Sequence, residues 1–178
     1  MVASDSGGPM KRVVVAWMED KPGVLTRVAS LFRRRGFNIE SLVVGHSEAP
    51  GISRMTFVVD GDDRTMHQVT SQLSKLINVT AVEDVTFVPV VVREMALIKV
   101  AAKDGQSRTE IMQLADVFRA KIVDIGHTAL TLEVTGEQDK VDSLIGLVKR
   151  FGILELARTG QVAMVRASAK ENGGGHAA

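Results

Sequence analysis

The sequence predicts an α+β fold made of two consecutive ferredoxin-like modules, each with the element order βαββαβ. Three observations support this: short strand-like runs alternate with amphipathic helical runs, the loops between them are short, and the same order occurs twice within 178 residues. Each module would hold an antiparallel four-stranded sheet with two helices on one face. The other face of each sheet needs cover, so we expect a dimer or larger oligomer.

The first module is predicted to span residues 11–88. Its first helix places Leu25, Val28, Ala29 and Phe32 on one face and ends at a glycine. The predicted elements are, in order, strand 13–17, helix 24–35, strands 37–45 and 53–60, helix 63–77 and strand 80–88.

The second module is predicted to span residues 95–167, after a connector at 89–94 that begins with a proline. Its predicted elements are strand 95–102, helix 108–119, strands 121–126 and 130–135, helix 138–150 and a final strand or bent pair of strands at 153–165. The polar and glycine-rich ends, 1–10 and 168–178, are predicted to be flexible tails.

Composition excludes several functional classes. The chain has 22 Lys and Arg against 21 Asp and Glu, which argues against nucleic acid or an anionic membrane surface as the main partner. It has no cysteine, so disulfides, thiolate catalysis and zinc–sulfur sites are excluded. No apolar run approaches the roughly 20 residues that span a bilayer, and no signal-peptide pattern opens the chain. We therefore expect a cytoplasmic protein without a membrane partner.

No catalytic or metal-binding constellation stands out. The four histidines lack metal-ligand spacing, the serines lie outside any nucleophile-elbow pattern, and no P-loop is present. RNA-recognition modules share the βαββαβ order, but they stack bases on aromatic side chains. Aromatic residues form only 4% of this chain, and the sequence signature of those modules is absent. We expect no catalytic residue, no metal ligand and no cofactor in this chain.

The most informative segment is the turn from Glu19 to Gly23, between the first strand and the first helix. A helix N-terminus exposes unpaired backbone N–H groups, which suit a small carboxylate. We predict that the amides of Gly23, Val24 and Leu25 receive one. The alternative is purely structural: Gly23 permits the turn, and the proline before it favours helix initiation.

Polar and apolar neighbours complete the predicted ligand site. Asn38 can offer a carbonyl to an ammonium group and an amide to a carboxylate, and Asp20 can neutralise the ammonium. Leu25 and Ile39 would shape a small aliphatic pocket. The ligand implied is a zwitterion with a short apolar side chain, although Asn38 could equally be an ordinary residue at a strand edge.

Several segments together resemble a known family. The chain is similar to the small, regulatory subunits of acetolactate synthase (acetohydroxyacid synthase), whose N-terminal part is an ACT domain. The resemblance covers roughly residues 11–166 and is most specific in R-G-F-N-I-E-S-L and S-R-M-T. The matching segments are Glu19–Leu25, Arg35–Leu42, Ser53–Thr56, Arg93–Val100, Phe118–Ala120, Ile122–Asp124 and Ala157–Gly160.

The resemblance implies a non-catalytic subunit of branched-chain amino acid biosynthesis. It would bind the large catalytic subunit, which uses thiamine diphosphate, FAD and Mg²⁺, raise its activity and confer feedback inhibition by valine or another branched-chain amino acid. The effector would sit where two ACT domains pair, on residues that map to Asp20, Gly23 and Asn38. Some relatives carry Asn where this chain has Asp20. The alternatives are a free-standing ACT-type amino-acid sensor that regulates a different enzyme, and an enzyme in its own right.

Overall fold

The computed structural model describes residues 10–171, which form two sheets and alternating helices. The elements are β1 (Met10–Glu19), α1 (Val24–Arg35), β2 (Ile39–His46), β3 (Ile52–Gly61), α2 (Asp63–Leu73), β4 (Val79–Asp84), β5 (Val90–Ala101), α3 (Gly105–Val117), β6 (Lys121–Ile125), β7 (Ala129–Gly136), α4 (Gln138–Val148), a 3₁₀ turn (Lys149–Phe151), β8 (Ile153–Arg158), β9 (Val162–Val165) and α5 (Ala167–Glu171).

The first sheet has the strand order β2-β3-β1-β4, with every neighbouring pair antiparallel. This is the order that a βαββαβ module produces, so the predicted fold class is confirmed. Its core lies between α1, α2 and one face of the sheet. The buried residues are Val14, Ala16, Met18, Val24, Val28, Leu31, Phe32, Met55, Phe57, Val59, Met66, Val69 and Leu73.

The second sheet repeats the arrangement with the order β6-β7-β5-β8. Helices α3 and α4 contribute to the hydrophobic core of this sheet, which is separate from the core of the first sheet. The buried residues are Ala96, Ile98, Val100, Ala102, Ile111, Ala115, Leu130, Leu132, Val134, Val141, Leu144 and Val148.

Helix α1 has the predicted bounds, but its buried face is rotated relative to the prediction. Leu25 is 47% exposed and Ala29 is also exposed, whereas Val24 and Leu31 are buried. The helix ends as predicted at Gly36, whose φ of 68° is the left-handed conformation that glycine adopts without strain. The turn before α1 therefore presents Leu25 to solvent rather than to the core.

The chain divides into two compact units, which differ from the predicted segments. Among the described residues, the first contains 10–91 together with 163–171, and the second is Val92–Val162. Most of the predicted connector 89–94 is the first part of strand β5, and the predicted final strand is two strands, β8 and β9. Of the predicted tails, Met10 begins β1 and α5 covers 167–171; residues 1–9 and 172–178 lie outside the described part.

Residues 163–165 of β9 lie in the first unit and cover part of the first sheet on the face opposite its helices. Strand β9 pairs with β5, and the amide of Arg166 donates to the carbonyl of Pro89 across 2.9 Å. The Arg54 guanidinium, on β3, donates to the carbonyl of Ala163, a residue with no exposed surface. The first sheet is therefore buried on both faces at this point.

Candidate functional site

The turn before α1 has the geometry of an open helix N-terminus. Gly23 precedes the first helical residue with φ 84° and ψ −7°, and no side chain caps the helix. A Cβ built on Gly23 would meet nothing within 4 Å. Its positive φ explains why glycine suits this position, and the open space beside it leaves the helix end accessible.

The turn uses one of the three amides predicted to bind a carboxylate. The N–H of Val24 donates to the carbonyl of Lys21 across 3.3 Å. The amides of Gly23, Leu25 and Thr26 have no partner among the described residues. The available donors are thus Gly23 and Leu25, with Thr26 in addition.

Hydrogen bonds from two sides fix the beginning of this turn. The amide of Asp20 donates to the carbonyl of Gly51, and the amide of Glu19 donates to the carbonyl of Asn78, each across 2.8 Å. The side-chain amide of Asn78 also donates to Glu19 Oε2 at 2.5 Å. This hydrogen bond, followed by one from Lys21, lowers the pKa of Glu19 below its ordinary value. The turn is therefore held from the β2–β3 loop on one side and the α2–β4 connection on the other.

Asp20 directly follows β1 and lies beside the end of β2. Its Oδ2 is 3.4 Å from Nδ1 of His46, and both side chains are largely exposed. The carboxylate can therefore reach a ligand ammonium beside the turn without being buried.

Asn38 does not lie near Gly23 within one chain. It immediately precedes β2, whose first residue pairs with Val59, which in turn pairs with Arg12. Gly23 instead follows Glu19, at the other end of β1. Arg12 and Glu19 are seven residues apart on β1. At about 3.3 Å per residue, Asn38 and the turn are therefore about 23 Å apart along the strand direction.

The remaining predicted residues divide between the two ends of α1. Leu25 is beside the turn and exposed, as an aliphatic ligand contact requires. The side chain of Val24 is buried in the core, and Ile39 packs against the edge of that core at the Asn38 end. One chain therefore presents the residues predicted for the site as two separate halves, Asp20, Gly23 and Leu25 at one end and Asn38 with Ile39 at the other.

The described residues offer neither a metal site nor a membrane-spanning helix. Residues 10–171 contain no group of three or more His, Asp or Glu side chains arranged to hold a metal ion. None of the helices in this range has the length and hydropathy needed to cross a lipid bilayer.

Two family models match successive parts of the sequence. Residues 16–81 match the model described as "AHAS small subunit-like ACT domain", and residues 93–167 match "Small subunit of acetolactate synthase". Together they cover most of the first predicted module and all of the second.

Individual proteins are similar over nearly the whole chain. A probable acetolactate synthase small subunit of Archaeoglobus fulgidus is 52% identical over 90% of this chain and 100% of its own length. One of Methanothermobacter thermautotrophicus is 51% identical over 90% and 95%. The crystal structure of the acetolactate synthase small subunit from Thermotoga maritima is 44% identical, covers 88% of this chain and 98% of its own, and superposes with a TM-score of 0.83.

Proposed function

Because this chain belongs to the family of acetolactate synthase small subunits, a family of regulatory ACT-domain subunits whose catalytic role belongs to the large subunit, we propose that it activates the large subunit and confers feedback inhibition by valine. The active holoenzyme would be cytoplasmic, and thiamine diphosphate, FAD and Mg²⁺ would be bound by the large subunit. The observation that carries the effector part of this proposal is the open N-terminus of α1 at Gly23.

A second copy of the chain would complete the valine site. Strand β2 is at the edge of the first sheet and pairs only with β3 among the described residues. An edge strand can pair with another chain, and a two-fold axis makes that pairing antiparallel. The beginning of β2 in one protomer would then lie beside the end of β2 in its partner. That end carries His46 and the neighbouring Asp20, so Asn38 of one copy would approach Asp20 and Gly23 of the other.

The exposed face of α1 fits this arrangement. Thr26, Ala29 and Ser30 line a shallow groove on it together with Leu25 and Arg33. Small side chains let a second helix approach closely, so two α1 helices could pack antiparallel above the joined sheets. The N-terminus of each helix would then face the C-terminal end of its partner, which again joins the two halves of the site.

In this site the amides of Gly23 and Leu25 would receive the valine carboxylate. Asp20 and the side-chain carbonyl of Asn38 from the partner would receive the ammonium group. Valine would bind one arrangement of the regulatory dimer more tightly than another. A coupling free energy of about 1–3 kcal/mol to the catalytic subunit would suffice for feedback control.

The first test is calorimetric titration of valine into Gly23→Asp, with Gly23→Ala as the matched control. Both variants carry the cost of a side chain at positive φ, but only aspartate adds a carboxylate that competes for the amides. We expect Gly23→Asp to lose valine binding and Gly23→Ala to retain it. Normal binding by Gly23→Asp would show that the site assignment is wrong.

A mixing experiment tests whether the site needs two copies. Gly23→Asp and Asn38→Ala should each fail to bind valine alone. A refolded equal mixture should regain about a quarter of the wild-type sites, because half of the dimers would be mixed and each mixed dimer would have one intact site. No recovery in verified mixed dimers would contradict a site built from both chains.

Regulation itself is tested with the cognate large subunit. Addition of this chain should raise acetolactate production, and valine should then lower it. Gly23→Asp should still activate but should abolish the effect of valine. If a different enzyme is recovered with this chain and the large subunit does not respond, the alternative of a free-standing amino-acid sensor holds.

A further inference from the structure

A cavity lined by both apolar and charged side chains lies in the first unit, on the sheet face opposite the helices. Its volume is about 310 Å³, at the lower end of the roughly 300–1,000 Å³ typical of small-molecule sites. Val15 and Val85 line it and are almost fully buried, and the exposed side chain of Met164 from the β9 segment borders it. The cavity therefore offers an apolar surface for a small ligand.

A cation is fixed at one side of this cavity. The guanidinium carbon of Arg54 lies 5.5 Å from the ring centroid of Trp17. The same guanidinium donates to the hydroxyl of Thr56 at 3.2 Å and to the carbonyl of Ala163. These contacts orient Arg54 and leave some of its N–H groups free for a carboxylate.

Two carboxylates are also present in the cavity. Glu48, from the β2–β3 loop, and Glu83, from β4, both line it. Neither forms an ion pair or a hydrogen bond with any described residue, although both lie near enough to act electrostatically on Arg54. Burial lowers the pKa of Arg54, and these two carboxylates oppose that shift.

We propose that this cavity binds a free α-amino acid with an apolar side chain, at a site separate from the turn at Gly23. Arg54 receives the carboxylate, Glu48 and Glu83 receive the ammonium group, and the side chain packs on Val15, Val85 and Met164. A simple anion would face two carboxylates, and a simple cation or a metal ion would face Arg54. A zwitterion satisfies both signs of charge at once.

This site is complete within one chain, so it does not depend on the proposed function. Every residue that carries the argument belongs to the first unit, including the β9 segment from Ala163 onward. A dimer is not required, and the amides of α1 take no part.

The test uses the full chain carrying Gly23→Asp, which removes the candidate site at the turn. L-Leucine is titrated by calorimetry, alongside 4-methylpentanoate, which lacks the amino group, and 3-methylbutylamine, which lacks the carboxylate. We expect one saturable leucine site per chain and at least tenfold weaker binding of each singly charged analogue. Equal binding of leucine and either analogue, or no leucine binding up to about 10 mM, would overturn the proposal.

Side-chain substitutions locate the site. Glu48→Gln and Glu83→Gln change exposed residues, so both variants should fold. Each should weaken leucine binding about fivefold or more. Glu155→Gln, on the second sheet, is the matched control and should bind leucine normally. Unchanged affinity in the double variant Glu48→Gln/Glu83→Gln would overturn the assignment. Arg54 is left intact because its loss would also release Ala163.

Discussion

The two sheets have the same topology but use their outer faces differently. On the first sheet, the outward side chains of Val15, Thr56 and Val58 are only 1–2% exposed. On the second, Leu97 is 37% exposed and lies in an open depression with Lys99 and Glu155. The outer face of the first sheet is an interior surface at these residues and is covered in part by β9, whereas that of the second sheet is in contact with solvent at Leu97.

This difference shows that the fold repeat does not impose one environment on both modules. Leu97 pairs with Glu133, and Lys99 forms a 2.6 Å ion pair with Glu155, so charged residues occupy the uncovered sheet. Residue type follows local cover on each outer face, as burial costs require. The predicted need for cover is met on the first sheet, at least at Arg54, by residues of β9 within the same unit, whereas the outer face of the second sheet stays open at Leu97.

Placing a charge on each outer face should give the largest difference in stability loss between the two sheets. Val58→Asp buries an unpaired carboxylate and should lower the free energy of unfolding by about 3 kcal/mol or more. Leu97→Asp places the same charge in water and should cost about 1 kcal/mol or less. Urea denaturation can be followed by circular dichroism and by the fluorescence of Trp17, the single tryptophan, which lies in the first unit. Similar losses of unfolding free energy in both variants would contradict the difference in burial between the two outer faces.

Enlarging one alanine at the outer face of each sheet should give a smaller difference in stability loss. Ala163 has no exposed surface, so Ala163→Leu should overpack the contact with the first sheet and cost about 1–3 kcal/mol. Ala157 is exposed on β8, opposite Leu97, so Ala157→Leu should change stability by about 0.5 kcal/mol or less. Thermal unfolding of the two variants checks this, and a neutral Ala163→Leu would mean that β9 does not pack closely on the sheet.

The sequence was sufficient to predict most of the local structure. Helical periodicity and Gly36 predicted the bounds of α1, and the repeat of βαββαβ predicted two antiparallel sheets with two helices each. The rotated burial of Leu25 and Ala29 was missed because a helical stripe fits nearly as well after a rotation of one position. The return of β9 to the first unit was also missed, since an apolar run predicts a strand but not the sheet that it covers.

The candidate site was predicted in part. The turn at Gly23 follows from local chain chemistry, because a glycine before an amphipathic helix leaves amides without partners. Asn38 and Gly23 flank the same helix in the sequence but are not close in space. The length of α1 and the register of β2 place Asn38 at the opposite end of the first sheet from Gly23. The cavity at Arg54 could not be predicted, because its walls come from β1, β3, β4 and the distant segment at β9.

The smallest expected effect concerns the ion pair on the open face. The hydrogen bond and charge of Lys99 lower the pKa of Glu155 below its ordinary 4.5, and Glu155 raises that of Lys99 above 10.5. A lowered carboxyl pKa contributes stability above pH 4.5 that is lost as pH falls through the folded-state value. Glu155→Gln should therefore be slightly less stable than the wild type at neutral pH and equal to it in strong acid. Because the pair is solvated, salt should reduce the difference. Urea denaturation of both proteins across pH and ionic strength measures it, and a difference that persisted in acid or resisted salt would indicate that partner residues cover this face.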